Sequence, residues 1–511
     1  MRKSYLTRYI MKICFLLQRQ FAHIGHNLAK LIKEQDGRVK FCGYVHLRSS
    51  YDFLCTQKEI SYGTLLLDEE VHSRFKNEPL DLSYLENVRK KLGVPTLWKY
   101  LVVDRLLMHN QLVREYPHDS CQYKHEELMR IIQVHAKAIE HMFDIEKPDY
   151  LVSSVLGSVG SLLLYDLAVA RGIKTLVILP ACTENRYVLS ERYDYFLDIE
   201  KRAQEFRNRL DSNNQFINRA DVFLKTFREK PTSYHKDIRG GKLSDPRKRA
   251  FALLLPHRMF VSIAWWFKVL YLFPEYFKHR DYSYAINPWY YTVDHIRRKV
   301  RTLIGFEDLY DEMDPNEEFV FYPLHLEPEI AILLHAPFYT NQANLIRKIA
   351  ESLPINYKLY VKEHHLMVEY RPRSFYKELK KMPNVKLIRP TVLGLDIIKQ
   401  AKLVATITST AAWEAVLLKK PAISFGHQFY NVLPMVEMCH DIEKLPELVD
   451  KQLHRFSHDE DVLRAYLAAL FEYSVPVELH YLWEEEFDRE KQKEDLRPLA
   501  NFLLKRIGIK K

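Results

Sequence analysis

Residues 403–425 read LVATITSTAAWEAVLLKKPAISF, and this stretch decides the fold. Leu403–Ile407 is a short apolar run of the kind that a strand buried on both faces requires. Thr408, Ser409 and Thr410 then place three hydroxyls in a row, residues that favour the start of a helix over its interior. Thr410–Lys419 follows as a helix, and Pro421–Phe425 is apolar again. Strand, turn, helix and strand in such close order form a βαβ unit, which implies a parallel sheet.

The same alternation extends upstream. Phe319–Leu324, Lys358–Lys362 and Val385–Ile388 read as further strands, separated by helices at Asn341–Leu353, Ser374–Lys381 and Gly394–Ala401. Residues 318–435 are therefore expected to form a doubly wound, Rossmann-like domain. The N-terminal part repeats the pattern more weakly over residues 1–205. Lys12–Leu17 and Val39–Leu47 read as strands around a helix at 18–35. Asp149–Ser153, Ser161–Arg171 and Ile173–Leu179 read as another strand–helix–strand unit, closed by Gly172. Residues 206–317 break the pattern. They hold a Lys/Arg-rich stretch at 225–249 with Pro231, Gly240, Gly241 and Pro246, then an aromatic segment from Phe260 to Tyr291. Residues 436–511 turn helical, at Asp441–Phe456 and Asp459–Tyr473, and are expected to pack back on the N-terminal domain.

Composition limits the function classes. The chain has 511 residues, a net charge of +10 and 47% hydrophobic residues, an ordinary globular balance. The positive balance suits phosphorylated substrates or an anionic membrane surface. No Lys/Arg arm marks it as a nucleic-acid binder. The six cysteines show no CxxC spacing, so neither a disulfide framework nor a zinc site is expected. The apolar run at 10–17 is short, contains Lys12 and has no cleavage signal, and no stretch reaches the ~20 apolar residues of a spanning helix. A cytoplasmic location is the expectation, with possible peripheral contact between the aromatic, basic 225–291 segment and a membrane face.

Ligands of open α/β sheets bind beyond the carboxyl ends of the strands. At those positions stand Glu327 and Glu329, then Lys362, His364 and His365, then Thr408, Ser409 and Thr410 with Glu414 one turn into the helix. Hydroxyls and N–H groups opening a helix suit a donor phosphate, lysine and histidine suit its charge, and Glu414 suits a ribose hydroxyl. Each has an ordinary alternative, such as a helix cap or a solvated loop. Their coincidence on one edge is what points to a ligand site. In the N-terminal half, Glu184 and His23 are the candidates for a catalytic acid or base. The loop at 153–160 holds Gly157 and Gly160 but no GxGxxG pattern. HExxH, GxSxG and Walker A motifs are absent.

These residues also carry a family resemblance. FYPLHLEPE at 321–329, LYVKEH at 359–364, the 403–414 block and KPAISFG at 420–426 resemble capsule polysaccharide biosynthesis proteins, relatives of bacterial transferases that use CMP-activated Kdo. GVPTLWKYLVVDR at 93–105 and residues 150–178 fit the same pattern. The resemblance implies a GT-B arrangement: two Rossmann-like domains facing a cleft, the C-terminal one holding a nucleotide sugar. It implies a metal-independent glycosyltransferase acting on a glycan or lipid-linked acceptor, in company with polysaccharide assembly proteins. His364 matches the family histidine. His365 stands where the family carries Pro, and Ser409 where it carries a small Gly. The alternatives are a nucleotide-sugar epimerase or hydrolase on the same plan, or a non-catalytic assembly partner.

Overall fold

In the computed structural model, residues 10–109, 121–210, 213–232, 255–279, 288–479, 482 and 489–509 are described. The chain forms two compact units. Unit 1 comprises Met1–Leu101, Tyr123–Leu197 and Tyr473–Lys511; unit 2 comprises Val102–Gln122 and Asp198–Glu472.

Unit 1 is built on a seven-stranded sheet. Its strands are β1 (Lys12–Leu17), β2 (Lys40–Val45), β3 (Tyr62–Leu67), β4 (Tyr150–Ser153), β5 (Lys174–Pro180), β6 (Arg186–Ser190) and β13 (Ser474–Pro476), in the order β13-β6-β5-β4-β1-β2-β3. The five strands from β5 to β3 are parallel, while β6 and β13 close one edge in antiparallel pairing. The strands β1, β2 and β4 are apolar and almost wholly buried, as a sheet covered on both faces demands. The helix Phe21–Gln35 buries Phe21, Ile24, Leu28, Leu31 and Ile32 at helical spacing. The same core takes in Leu499, Leu503 and Ile507 of the last helix, Arg497–Ile507. A buried hydrogen bond from Asn27 to Gln492, at 2.7 Å, joins the two ends of the chain within this unit.

Unit 2 is built on a six-stranded, wholly parallel sheet. Its strands are β7 (Glu318–Pro323), β8 (Tyr357–Lys362), β9 (Val385–Ile388), β10 (Leu403–Thr406), β11 (Ala422–Ser424) and β12 (Val436–Met438), in the order β12-β11-β10-β7-β8-β9. The chain winds outward from β7 through β8 to β9, then crosses to β10 on the other side of β7. The sheet therefore reverses direction between β7 and β10. Unit 1 reverses in the same way between β1 and β4. Each reversal opens a crevice at the carboxyl ends of its two strands.

Several expectations need correction. Residues 436–472 stay in unit 2, where β12 completes the sheet and the helix Leu445–His454 joins its core; only the stretch from Tyr473 onward joins unit 1. Residues 197–229 hold two helices, Leu197–Arg207 and Gln215–Glu229, the second started by Asn214, whose side chain accepts from the Phe216 N–H. β3 and β6 do not stand out in the sequence as strands, because β3 lies at a half-exposed edge and β6 is a short antiparallel return. The basic stretch at 225–249 enters the helix Gln215–Glu229, and its residues 233–249 lie outside the described residues. The described part of the aromatic segment lies in the helices Pro256–His279 and Pro288–Ile304, and residues 280–287 lie outside the described residues.

Candidate functional site

Most of the polar residues named above stand beyond the carboxyl ends of β7, β8 and β10, which are neighbours in the sheet. β7 ends at Pro323 and is followed by His325, a histidine buried at 7% exposure. Its Nε2 accepts the Thr408 N–H at 3.0 Å and lies 3.3 Å from the Thr406 hydroxyl, so the loops after β7 and β10 are tied together by one ring. A neutral imidazole accepting at Nε2 carries its proton on Nδ1. Burial pushes the His325 pKa down to about 3, which keeps the ring in that neutral form. Gln342 braces the same loop. Its amide oxygen accepts the His325 N–H at 2.7 Å, and its amide nitrogen donates to the His325 carbonyl at 3.2 Å and to Glu327.

The TST run behaves as a cap and a tether. The Ser409 hydroxyl accepts the Ala411 N–H at 3.2 Å, and the Thr408 hydroxyl donates to the Ala331 carbonyl at 2.9 Å. Thr408 has thus spent both its N–H and its hydroxyl inside the protein, which corrects its expected role as a phosphate donor. The Thr410 N–H, at the first position of the helix Thr410–Leu417, enters none of these bonds. Glu414 is buried one turn further along. The glycine at 426 is a packing requirement. A Cβ there would come within 2.6 Å of the Thr408 methyl and 2.8 Å of the Ala336 Cβ.

Lys362 ends β8. Burial lowers its pKa to about 8, against the pull of the Glu363 and Glu414 carboxylates. His364 and His365 follow, their rings stacked with centroids 4.5 Å apart. His365 is exposed, while His364 is half-buried. The Leu366 N–H donates to His364 Nδ1 at 3.2 Å, so the proton of the neutral ring sits on Nε2.

Beneath this loop lies a buried ionic group that the sequence reading passed over. Arg371 has no exposure, and its Nη1 meets both Glu363 oxygens at 2.5 and 2.6 Å. Its Nη2 donates to the His325 carbonyl at 2.6 Å and lies 3.3 Å from Glu327. Tyr376 donates to Glu363 at 2.6 Å. Burial raises the pKa of Glu327 despite the guanidinium beside it. Glu327 is therefore committed to an internal network and is not a ligand-facing carboxylate. Glu329 sits at the head of the short helix Ile330–Leu333, half-exposed, and its side chain makes no cap bond.

In unit 1, Glu184 is exposed on the turn between β5 and β6, where Cys182, Glu184 and Asn185 all take positive φ, 49–51°. Backbone held this way costs roughly 1–3 kcal/mol per residue. His23 lies in the first turn of the helix after β1, its ring 4.0 Å from that of Phe53. The two candidates are not joined by any hydrogen bond described. The crowded polar group of this unit is elsewhere. Asp68, fully buried after β3, accepts from the Tyr44 hydroxyl at 2.6 Å and faces His135 Nε2 at 3.4 Å. Burial opposes its charge, but His135, His46 and Tyr44 hold its pKa at about 2. A Cβ at Gly160 would strike Tyr44 and Asp68 at 1.8 and 2.4 Å, so only glycine lets the helix Val159–Ala170 begin there. Its signal in the sequence was the Ser153–Gly160 loop, small residues directly after a strand.

Comparison with known proteins bears on the second unit. Protein FixF of Sinorhizobium fredii (strain NBRC 101917 / NGR234) is 28% identical over 158 residues, 30% of this chain. The match spans 37% of the length of that relative. Among solved structures, the chain is similar to the beta Kdo 2,7 transferase KpsC of Thermosulfurimonas dismutans, at 14% identity and a TM-score of 0.36, over 71% of this chain and 89% of that one. It is also similar to the UDP-GlcNAc 2-epimerase of Methanocaldococcus jannaschii, at 11% identity and a TM-score of 0.28, over 90% of this chain and 98% of that one. Residues 265–473 match the family described as capsule polysaccharide biosynthesis protein, and the β7/β10 crevice lies wholly inside that span.

Proposed function

We propose that the protein is a glycosyltransferase that moves a sugar from a nucleotide donor, of the CMP-Kdo kind, to a glycan or glycolipid acceptor in surface-polysaccharide synthesis. The observation that supports this reading is the carboxyl edge of the unit 2 sheet: the His325 ring ties the loop after β7 to the loop after β10, and Lys362 at the end of β8 lies within electrostatic reach of Glu414 on the helix that starts at Thr410. In this reading Lys362 and the Thr410 N–H take the donor phosphate, and His364 Nε2–H adds a hydrogen bond to it. Glu414 takes a ribose hydroxyl, and the exposed His365 ring borders the sugar. No metal is needed, because a cationic side chain and a helix N-terminus already meet the charge of the leaving nucleotide. Glu184 and His23 remain the candidates for activating the acceptor hydroxyl from unit 1.

A thermal-shift series with CMP, UDP, GDP and their sugars tests the reading, run in parallel on wild type and His364→Ala. A nucleotide at 100 times its dissociation constant adds about 2.7 kcal/mol to stability. The expected result is a shift with one nucleotide class that His364→Ala abolishes. No shift with any nucleotide in folded protein overturns the donor-site assignment and favours a non-catalytic assembly partner.

The acceptor's setting has its own support. No described helix is long and apolar enough to cross a membrane. The helix Pro256–His279 nevertheless exposes Met259, Phe260, Ile263, Trp266, Phe267 and Leu270, which recur every three or four residues and so share one face. Trp265, on another face, stacks on His295 of the helix Pro288–Ile304. With a net charge of +10, such a face suits the surface of an anionic bilayer, where a lipid-linked acceptor would lie.

A further inference from the structure

The nucleotide reading gives roles to the crevice residues but none to the buried cation beneath them. Resting on that reading, we propose that Arg371 is a positioning residue: by locking the loops after β7 and β8 to one another, it fixes which face of His364 is offered to the ligand.

The argument runs through one carboxylate. Glu363 is gripped by Arg371 Nη1 on both oxygens, at 2.5 and 2.6 Å, and by the Tyr376 hydroxyl at 2.6 Å. Three hydrogen bonds from these two groups hold the carboxylate in one orientation. In that orientation Glu363 Oε1 accepts the His364 N–H at 2.6 Å, which fixes the backbone of His364. The chain then turns so that the Leu366 N–H reaches His364 Nδ1 at 3.2 Å. An N–H at Nδ1 forces the proton of a neutral ring onto Nε2, so His364 is set as a hydrogen-bond donor at that atom. The orientation suits a phosphate or carbonyl oxygen and disfavours a hydroxyl or amine proton.

The second arm of the guanidinium extends the lock. Arg371 Nη2 holds the His325 carbonyl at 2.6 Å, and the His325 ring holds the Thr408 N–H at 3.0 Å. One arginine and one histidine thus join the loops after β7, β8 and β10. A lysine could supply the charge but not the planar fork that meets Glu363 and His325 together.

The alternative is that Arg371 merely holds the fold together. The two roles separate in a spectrum. Full-length protein labelled with 15N-histidine, studied above the histidine titration range, should show His364 as the Nε2–H tautomer, with its signal assigned by its loss in His364→Ala. In Arg371→Lys the expected result is loss of that tautomer preference. The dissociation constant for the nucleotide found in the thermal-shift series should rise roughly tenfold, the worth of one misaligned charge-assisted hydrogen bond. A folded Arg371→Lys protein with unchanged tautomer and unchanged affinity overturns the proposal. If that variant does not fold, Tyr376→Phe removes one donor from the same carboxylate. A partial loss of the tautomer preference then supports the lock, and an unchanged spectrum refutes it. Should wild type bind none of the nucleotides, the donor-site reading fails, while the tautomer comparison still decides the role of Arg371.

Discussion

At the scale of single residues, Lys362 is the group whose chemistry is most exposed to test. Burial pushes its pKa down to about 8, although Glu363 and Glu414 favour its charge. The lysine is a base, so its charged form exists below that value. A bound phosphate would stabilise the ammonium and raise the pKa of the complex. Nucleotide affinity is therefore predicted to hold steady below about pH 8 and to weaken as pH rises above it, by up to tenfold per unit, until the pKa of the complex is passed. Calorimetric titrations across that range check this, and Lys362→Met should bind more weakly with a flat profile. A wild-type profile that stays flat through pH 9 would remove Lys362 from the phosphate site. In the nucleotide-free protein the sign is opposite. The unfolded chain binds a proton at Lys362 up to the ordinary lysine range while the folded chain has already released it, so this residue adds stability as pH rises from about 8.

At the scale of elements, the sequence was most readable where strands are buried on both faces. β7, β8 and β10 are near-continuous apolar runs, and such runs need no neighbour to be recognised. β3 escaped because an edge strand is half-exposed and this one carries Gly63, and β13 because three residues hold no period. The site divided along a similar line. Lys362, His364 and Glu414 could be placed on one sheet edge from the sequence because Lys362 ends a strand, His364 follows it and Glu414 lies one turn into a helix. Arg371 was not, because an arginine in a polar loop reads as solvated, and its partners Glu363 and His325 lie eight and 46 residues away. Only the fold reveals that it has no exposure. The helix Pro256–His279 allows a prediction at this scale. Phe260 and Phe267, 77% and 69% exposed, should enter the interface of anionic vesicles. Burying one phenylalanine contributes about 1.5–3 kcal/mol, so replacing both with serine should lower vesicle affinity at least tenfold, measured by co-sedimentation. Equal binding of the variant, or equal binding of wild type to zwitterionic vesicles, would exclude this face as a membrane contact.

At the scale of the whole molecule, the two units pose a choice that neither settles alone. Both are parallel sheets with a reversal of strand order, at β1/β4 in unit 1 and at β7/β10 in unit 2, and either reversal is the place where such sheets take a ligand. Their contents differ in sign. The carboxyl edge of the unit 2 sheet carries Lys362, His364 and the start of the helix Thr410–Leu417, a lysine, an imidazole and a helix N-terminus that suit anions. Unit 1 instead buries an ionised Asp68 beside the start of the helix Val159–Ala170, and a carboxylate already in that position repels a phosphate. On the proposed function, this charge pattern favours unit 2 for the nucleotide and unit 1 for a neutral, hydroxyl-rich acceptor. Hydrogen exchange on the intact chain distinguishes the two. With nucleotide alone, amides at 364–367 and 408–412 should gain protection, and those at 153–160 and 182–186 should stay at their unliganded rates. Protection that arises first around 153–160 would reverse the assignment, making unit 1 the donor side and the unit 2 crevice the place of the acceptor.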